Sequence, residues 1–345
     1  MPAVTHATEA DHELFRRELD SFVPDAICDA HVHLWAKTQL PPTGYEAFQQ
    51  LEEDVIDLAA YRRRMAELLP GRRVAGGLIL PGAVGATGEQ VRSQNELVAA
   101  EVAADQGWRG SLLVSPEMDT EYVRAEVHRL GLSGLKCYHV RSGLAMPGTA
   151  GHAVTWDADI PAYLPEAHVK VAHEEHLCIT LHMVKARAVA DPSNQHWIRH
   201  YCETYPDMQL ILAHAARGFN PYHTIEGLAK LTGLPNLWCD MAAVADVGAC
   251  EAIIETLGHD RLLYGTDFPI SHLRGRCVAI GDGFVWLYDD TLDWKKVSFQ
   301  PLEPVFVGLE SLRVLKQAAW HCRLGDSQVE DLFCNNARRL LGLTL

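Results

Sequence analysis

The sequence predicts a (β/α)8 barrel, an α/β fold closed by parallel strands, with insertions after its first and eighth strands. Three observations carry this expectation. Eight short, almost continuously apolar runs recur along the 345 residues. An amphipathic helical stretch follows each, and ionisable residues stand where several of the runs end. Apolar runs of this kind suit parallel strands covered on both faces. Eightfold alternation of strand and helix suits a closed barrel.

The elements follow in chain order. Residues 1–25 read as a helical extension packed outside the barrel. Their start, "MPAVTHATEADHELFRRELD", is acidic and lacks the apolar centre of a signal peptide. The barrel itself is expected over 26–345. Its strands are "AICDAHVHL" (26–34), "RVAGGLILP" (73–81), "WRGSLLVS" (108–115), "GLSGLKCYHV" (131–140), "LCITLHMV" (177–184), "QLILAHAA" (209–216), "NLWCDMAAV" (236–244) and "RLLYGTDFP" (261–269). Stretches such as "SQNELVAAEVAADQ" and "NQHWIRHYCETYP" supply helices between them. The first insertion, 35–72, is long enough for two helices. The second, 270–305, holds "RGRCVAIGDGFVWLYDD", rich in glycine and aromatic residues. Loops that follow barrel strands open on the catalytic face, so both insertions are candidate lids or pocket walls. Surface decoration or an oligomer contact is the alternative.

Composition narrows the function classes. A hydrophobic share of 48% and a charged share of 22% are those of an ordinary globular chain. The formal net charge of -15 argues against nucleic acid as a partner, since such proteins display a clustered basic surface. Nine scattered cysteines form no C-x-x-C pair and no disulfide framework. No apolar stretch approaches the roughly 20 residues that span a bilayer. The expectation is a soluble, cytoplasmic protein with reduced thiols and no membrane partner.

Position singles out five side chains. His31 and His33 end the first strand and, one residue apart, project to the same side. His182 ends the fifth strand, His214 the sixth and Asp267 the eighth. A single histidine in such a place is commonly a hydrogen-bonded core residue; five ionisable groups converging on one mouth are not explained by packing. Neutral imidazoles and carboxylates are the ligands of zinc in catalytic sites, which keep one position open. His31, His33, His182 and Asp267 are therefore the expected ligands of one divalent ion, zinc with manganese as the alternative. His214 is the expected general acid/base.

With these residues the chain resembles the amidohydrolase superfamily, in particular the amidohydrolase-related group that includes aminocarboxymuconate-semialdehyde decarboxylase and small-molecule lactonases. The resemblance rests on "DAHVHLW" (29–35), "GLK" (134–136), "ITLHM" (179–183), "LILAHAARG" (210–218), "YGTDFP" (264–269) and "NNARRLLGL" (335–343), in the family's order. It implies that His31, His33, His182 and Asp267 bind one metal and that His214 is catalytic. It also implies a catalytic role for Asp267, as acceptor of a proton from water in some members. Lys136 lies where other branches carry a carboxylated, metal-bridging lysine. "GLKCYHV" resembles the mononuclear branch instead, which leaves Lys136 as an anion partner or a structural residue. His139, nearer the loop, is a candidate substrate contact. A homodimer or larger assembly is what the family implies.

Cations near these residues are candidate anchors for a carboxylate, which a guanidinium grips through two parallel hydrogen bonds. Arg217, three residues after His214, leads; Lys185, Arg187, Arg274 and Arg276 follow. Other conspicuous motifs read as structural. "HEEH" (173–176) lacks zinc-protease spacing, "DPSN" (191–194) is a helix cap, and "GDG" (281–283) is a turn.

The expected function is metal-dependent hydrolysis of a C–N or C–O bond in a small polar, carboxylate-bearing molecule: an amide, a lactone or a cyclic acid. A non-oxidative decarboxylase of an aromatic or muconate-like acid is the alternative on the same residues. A metal-dependent nuclease lacks a basic track here, and a silent barrel would have lost ligands.

Overall fold

The computed structural model describes residues 4–41, 46–82, 88–142, 155–297 and 302–344. Residues 42–45 and 298–301 of the two predicted insertions, and 1–3 of the extension, lie outside the described residues. All eight predicted barrel strands are present: β1 (Ala26–Ala36), then β3 (Arg73–Pro81), β4 (Trp108–Leu113), β5 (Gly134–Tyr138), β6 (Cys178–His182), β7 (Gln209–Leu212), β8 (Leu237–Asp240) and β9 (Leu262–Leu263). Each pairs in parallel with the next in this order. A short strand, β2 (Val55–Ile56), lies antiparallel on the outer end of β1. Hydrogen bonds then join the last strand region to the first: Ala30 N–H donates to Tyr264 O and Asp267 N–H to His31 O, both at 2.9 Å. A parallel bridge between Val32 and Phe268 completes the seam.

Local chemistry explains the repeated unit. Asp57, Asp119, Asp191, Asn220 and Asp246 each precede a helix and accept a hydrogen bond from a backbone N–H of its first turn. That satisfies one of the donors a helix start leaves bare. Pro192 and Pro221, at first helical positions, lose nothing by lacking an N–H. Strands such as "GLKCY" and "LWCD" are buried throughout because helices cover them outside and side chains fill them inside. One core cluster draws Cys28, Leu78, Cys178, Ile211, Trp238 and Leu263 from six strands, and Cys334, Ala337 and Leu341 of the C-terminal helices pack against it.

The additions differ from expectation in detail. The extension forms a helix Glu9–Leu14 continuing as a π turn Phe15–Leu19. Asp11 ties it to the far end of the chain, accepting from Arg274 Nη2 (2.6 Å) and Phe306 N–H (3.0 Å). The first insertion places a 3-10 turn (Lys37–Gln39), a single helical turn (Glu46–Gln49) and β2 before the helix Leu58–Leu68. The predicted two helices there are thus one long helix and one turn, since β2 takes residues 55–56 into pairing. The second insertion contains an antiparallel hairpin of β10 (Gly275–Ile280) and β11 (Gly283–Tyr288). Among the described residues no helix is long and apolar enough to cross a membrane.

A buried histidine makes this framework sensitive to acid. His272 Nε2–H donates to Arg64 O at 2.9 Å, and burial pushes its pKa down from 6.5 to about 4. Below pH 6.5 the unfolded chain takes a proton that the folded chain refuses until about pH 4. The contribution of His272 is therefore complete above the upper value and lost progressively towards the lower, by on the order of 3 kcal/mol. In His272→Gln, the fall in urea-unfolding free energy over that interval becomes shallower. An identical slope in wild type and variant would contradict the assignment.

Candidate active site

The strand ends carry the predicted groups to one place. His31 Nδ1–H donates to Asp240 Oδ2 (2.9 Å), His33 Nδ1–H to Leu80 O (3.1 Å), and His214 Nδ1–H to Ala242 O (2.9 Å). Each acceptor lacks a proton, so each histidine spends its own on Nδ1 and presents a bare Nε2 lone pair. These lone pairs converge on Asp267. Its Oδ1 lies 3.2 Å from His33 Nε2 and 3.6 Å from His31 Nε2. Ligand atoms of His31, His214 and Asp267 lie within 4.8 Å of one another. His182 adjoins them, its ring 5.2 Å from that of His214, and its Nδ1 is buried with no hydrogen-bond partner among the described residues. Nitrogen lone pairs facing a carboxylate repel unless a cation stands between them. The donor set fits a divalent metal.

The electrostatics match. Burial first, then the neighbouring His214, Lys136 and Arg217, hold the His182 pKa well below its usual value. Burial also depresses His214. Both rings are thus neutral, the form that binds metal or accepts a proton. For Asp267 burial opposes ionisation, but the adjoining His33, and then His214 and His31, outweigh it and hold the carboxyl well below its usual range.

Backbone geometry aims these groups. His214, Ala215, Ala216 and Arg217 all have positive φ, between 51° and 60°. Four consecutive left-handed residues other than glycine cost of order 1–2 kcal/mol each. That turn swings His214 inward and carries Arg217 to the same mouth. Asp267 has φ 54° as well. Gly265 is required for a different reason: a Cβ there would lie 2.9 Å from the Cβ of His31.

Two carboxylates that the sequence reading treated as strand residues support the site. Asp240 closes β8. Its Oδ2 takes the His31 proton, while its Oδ1 accepts from the backbone N–H groups of His214 (2.9 Å) and Ala242 (3.1 Å). Its position at a strand end was the same signal that marked the histidines. Asp29 Oδ1 accepts from His31 N–H and Thr266 N–H, both at 3.0 Å, and its Oδ2 accepts from Tyr61 Oη (2.7 Å) and Thr266 Oγ1 (2.5 Å). It fastens β1 to the chain beyond β9. Burial pushes its pKa up to about 6 against those hydrogen bonds.

The remaining candidates separate. Lys136 is fully buried, 4.7 Å from the centre of the Tyr138 ring, and its Nζ has no hydrogen-bond partner among the described residues. Burial lowers its pKa, while Asp240 and Asp267 pull the other way. His139 sits just beyond β5, its Nδ1 2.9 Å from Thr155 Oγ1 and its ring 6.1 Å from His182. Four of the five predicted anchoring cations are already neutralised: Lys185 by Asp159, Arg187 by Glu226, Arg274 by Asp11 and Arg276 by Glu310. Arg217 differs. It is buried, donates from Nη1 to Lys185 O (2.7 Å), and has no carboxylate partner among the described residues. Its Nε has no hydrogen-bond partner among the described residues, and burial pulls its pKa down to about 10.

Comparisons with known proteins bear on the fold and the family. The chain resembles an amidohydrolase from Burkholderia multivorans solved with bound zinc, at 14% identity and a TM-score of 0.54, over 92% of this chain and 100% of that one. It resembles a probable 2-pyrone-4,6-dicarboxylic acid hydrolase from Acinetobacter baumannii with citric acid bound, at 10% identity and a TM-score of 0.56, over 92% and 99%. It also resembles 5-carboxyvanillate decarboxylase from Sphingomonas paucimobilis, at 14% identity and a TM-score of 0.50, over 93% and 100%. A search of curated protein sequences gave no match. The sequence model of the amidohydrolase family matches residues 28–343, from the residue that opens "CDAHVHLW" to the end of "NNARRLLGL", and the chain belongs to that family.

Proposed function

We propose that this protein is a metal-dependent hydrolase that opens a C–N or C–O bond of a small carboxylate-bearing molecule, an amide, lactone or cyclic acid. The observation that carries the proposal is the convergence of bare imidazole nitrogens on the ionised Asp267, beside a buried guanidinium that has no carboxylate partner among the described residues. His31, His33, His182 and Asp267 would hold one divalent ion, zinc or manganese. Such an ion, when bound, supplies Lewis acidity and makes water available as a nucleophile near neutral pH. The chain's own residues do the rest. Arg217 binds the substrate carboxylate and fixes its orientation, with Lys136 and His139 as further contacts. His214, kept neutral by burial, accepts a proton at Nε2 while Ala242 O holds its Nδ1 proton. It then returns that proton to the leaving group. A small-molecule substrate, no nucleic acid or membrane partner, and a homodimer or larger assembly belong to the same proposal.

Decarboxylation uses the same groups, with the proton delivered to carbon. The similarity to 5-carboxyvanillate decarboxylase supports that second reading. Lactones, amides and aromatic acids are assayed with the metal-loaded protein, following both acid production and CO2 release. His214→Ala is expected to keep about one ion per chain by elemental analysis. Its turnover should fall by roughly 10²–10⁴-fold. Full activity in metal-free His182→Ala protein would overturn the proposal.

A further inference from the structure

The hairpin beyond β9 carries an alternation that the catalytic residues do not explain. In "GFVWLY" (283–288), Phe284, Trp286 and Tyr288 are two residues apart in one strand, so they share a face. Val285, on the other face, is exposed. The three rings stay partly buried and pack towards Phe219, Ala243, Leu273 and Val307. Their ring contacts lead without a break to the candidate acid/base. Phe284 and Trp286 lie 5.1 and 5.4 Å from Phe219, and Phe219 stacks on His214 at 5.3 Å with 28° between planes. Phe284 also lies 5.5 Å from the Arg217 guanidinium, which rests 4.2 Å over the ring of Trp156.

The tip of the hairpin is fastened. Asn220 Nδ2 donates to Gly281 O (3.1 Å) and Gly283 O (3.0 Å). Asp282 pairs with His223 at 3.0 Å and with Arg187 at 3.4 Å. At the base, Gly275 has φ 129°, and a Cβ there would lie 2.0 Å from Leu287 O, so only glycine lets the two strands close. The inner face is therefore held in place before any ligand arrives.

From this placement we infer that the β10–β11 hairpin selects the substrate: Phe284 and Trp286 form an aromatic wall that accepts a flat, ring-bearing carboxylate whose charge is held by Arg217. The inference rests on the proposed binding of a carboxylate. A planar π ring stacks on this wall, whereas a saturated ring of equal size and charge meets it only by loose apolar contact. Arg217 supplies the charge complement, and the wall supplies shape. Phe284 and Trp286 act on selectivity, and the proton transfers are left to His214.

The test measures binding rather than turnover, which separates it from the choice of reaction. Benzoate and cyclohexanecarboxylate are titrated calorimetrically into zinc-loaded wild type, Phe284→Leu, Trp286→Leu and Trp286→Phe. Wild type is expected to prefer benzoate by about tenfold, the advantage that one or two ring contacts supply. Each Leu variant should reduce that preference to about twofold with cyclohexanecarboxylate affinity unchanged, and Trp286→Phe should restore most of it. A full preference retained in both Leu variants would show rings that only pack, and would overturn the inference. Equal, measurable binding of both acids to wild type overturns the wall and leaves the carboxylate reading standing. Binding of neither acid overturns that reading, and the inference with it.

Discussion

Arg217→Gln is expected to lower kcat/KM for a carboxylate-bearing substrate by roughly 100-fold, mostly through KM. A bidentate, charge-assisted contact in a buried place contributes about 3 kcal/mol, which is that factor. The reason to expect it here is comparative. Lys185, Arg187, Arg274 and Arg276 have found acidic partners within the fold, while Arg217, buried between Trp156 and Phe284, has none among the described residues. Holding a guanidinium in that state disfavours the folded chain, and burial already draws its pKa down to about 10. The ligand-free variant should therefore be at least as stable as wild type in urea, the opposite of what a structural arginine would show. Arg217→Lys should not recover KM, because an ammonium cannot form the two parallel bonds. A clear loss of stability with unchanged KM would place Arg217 in the framework instead.

Asp240→Asn is expected to weaken metal binding by about 10–100-fold, with turnover falling in step. The carboxylate does two tasks at once. Through Oδ2 it keeps the His31 proton on Nδ1, and through Oδ1 it holds the backbone of His214. For Asp240, burial opposes the charge, but His31 and His214 outweigh it and hold its pKa below the usual value. An asparagine can keep the second task and not the first. Its amide donates where the carboxylate accepts, so the His31 proton shifts to Nε2 and that nitrogen no longer faces the site as a lone pair. Zinc titration against a competing chelator reads the affinity. Unchanged affinity would mean that His31 is oriented by packing alone.

The arrangement of strands was legible because it depends on local rules. Parallel strands buried on both faces must be apolar along their length, and an ionisable residue ending such a run has only the barrel mouth to occupy. His31, His33, His182, His214 and Asp267 could be named on that basis; in the structure His31, His214 and Asp267 form one cluster, with His33 beside Asp267 and His182 beside His214. Asp240 also closes a strand, "LWCD", but the sequence placed it inside the longer run "NLWCDMAAV" (236–244), which offered no motif. The hairpin rings were seen as an aromatic-rich insertion, yet alternation could not say which face turned inward.

What the sequence by itself determined is the family, the order of strands and helices, and the chemical kinds of group at the strand ends. The family rests on the resemblance of its motifs; the other two are set by composition and period within a few residues. Only the tertiary structure decided which of five candidate cations lacks an acidic partner among the described residues, which nitrogen of His31, His33 and His214 lies against an acceptor, and that Phe284 and Trp286 turn inward on Phe219. Those facts depend on residues far apart in the chain, such as Arg274 with Asp11 and His31 with Asp240, whose distances exist only once the barrel has closed.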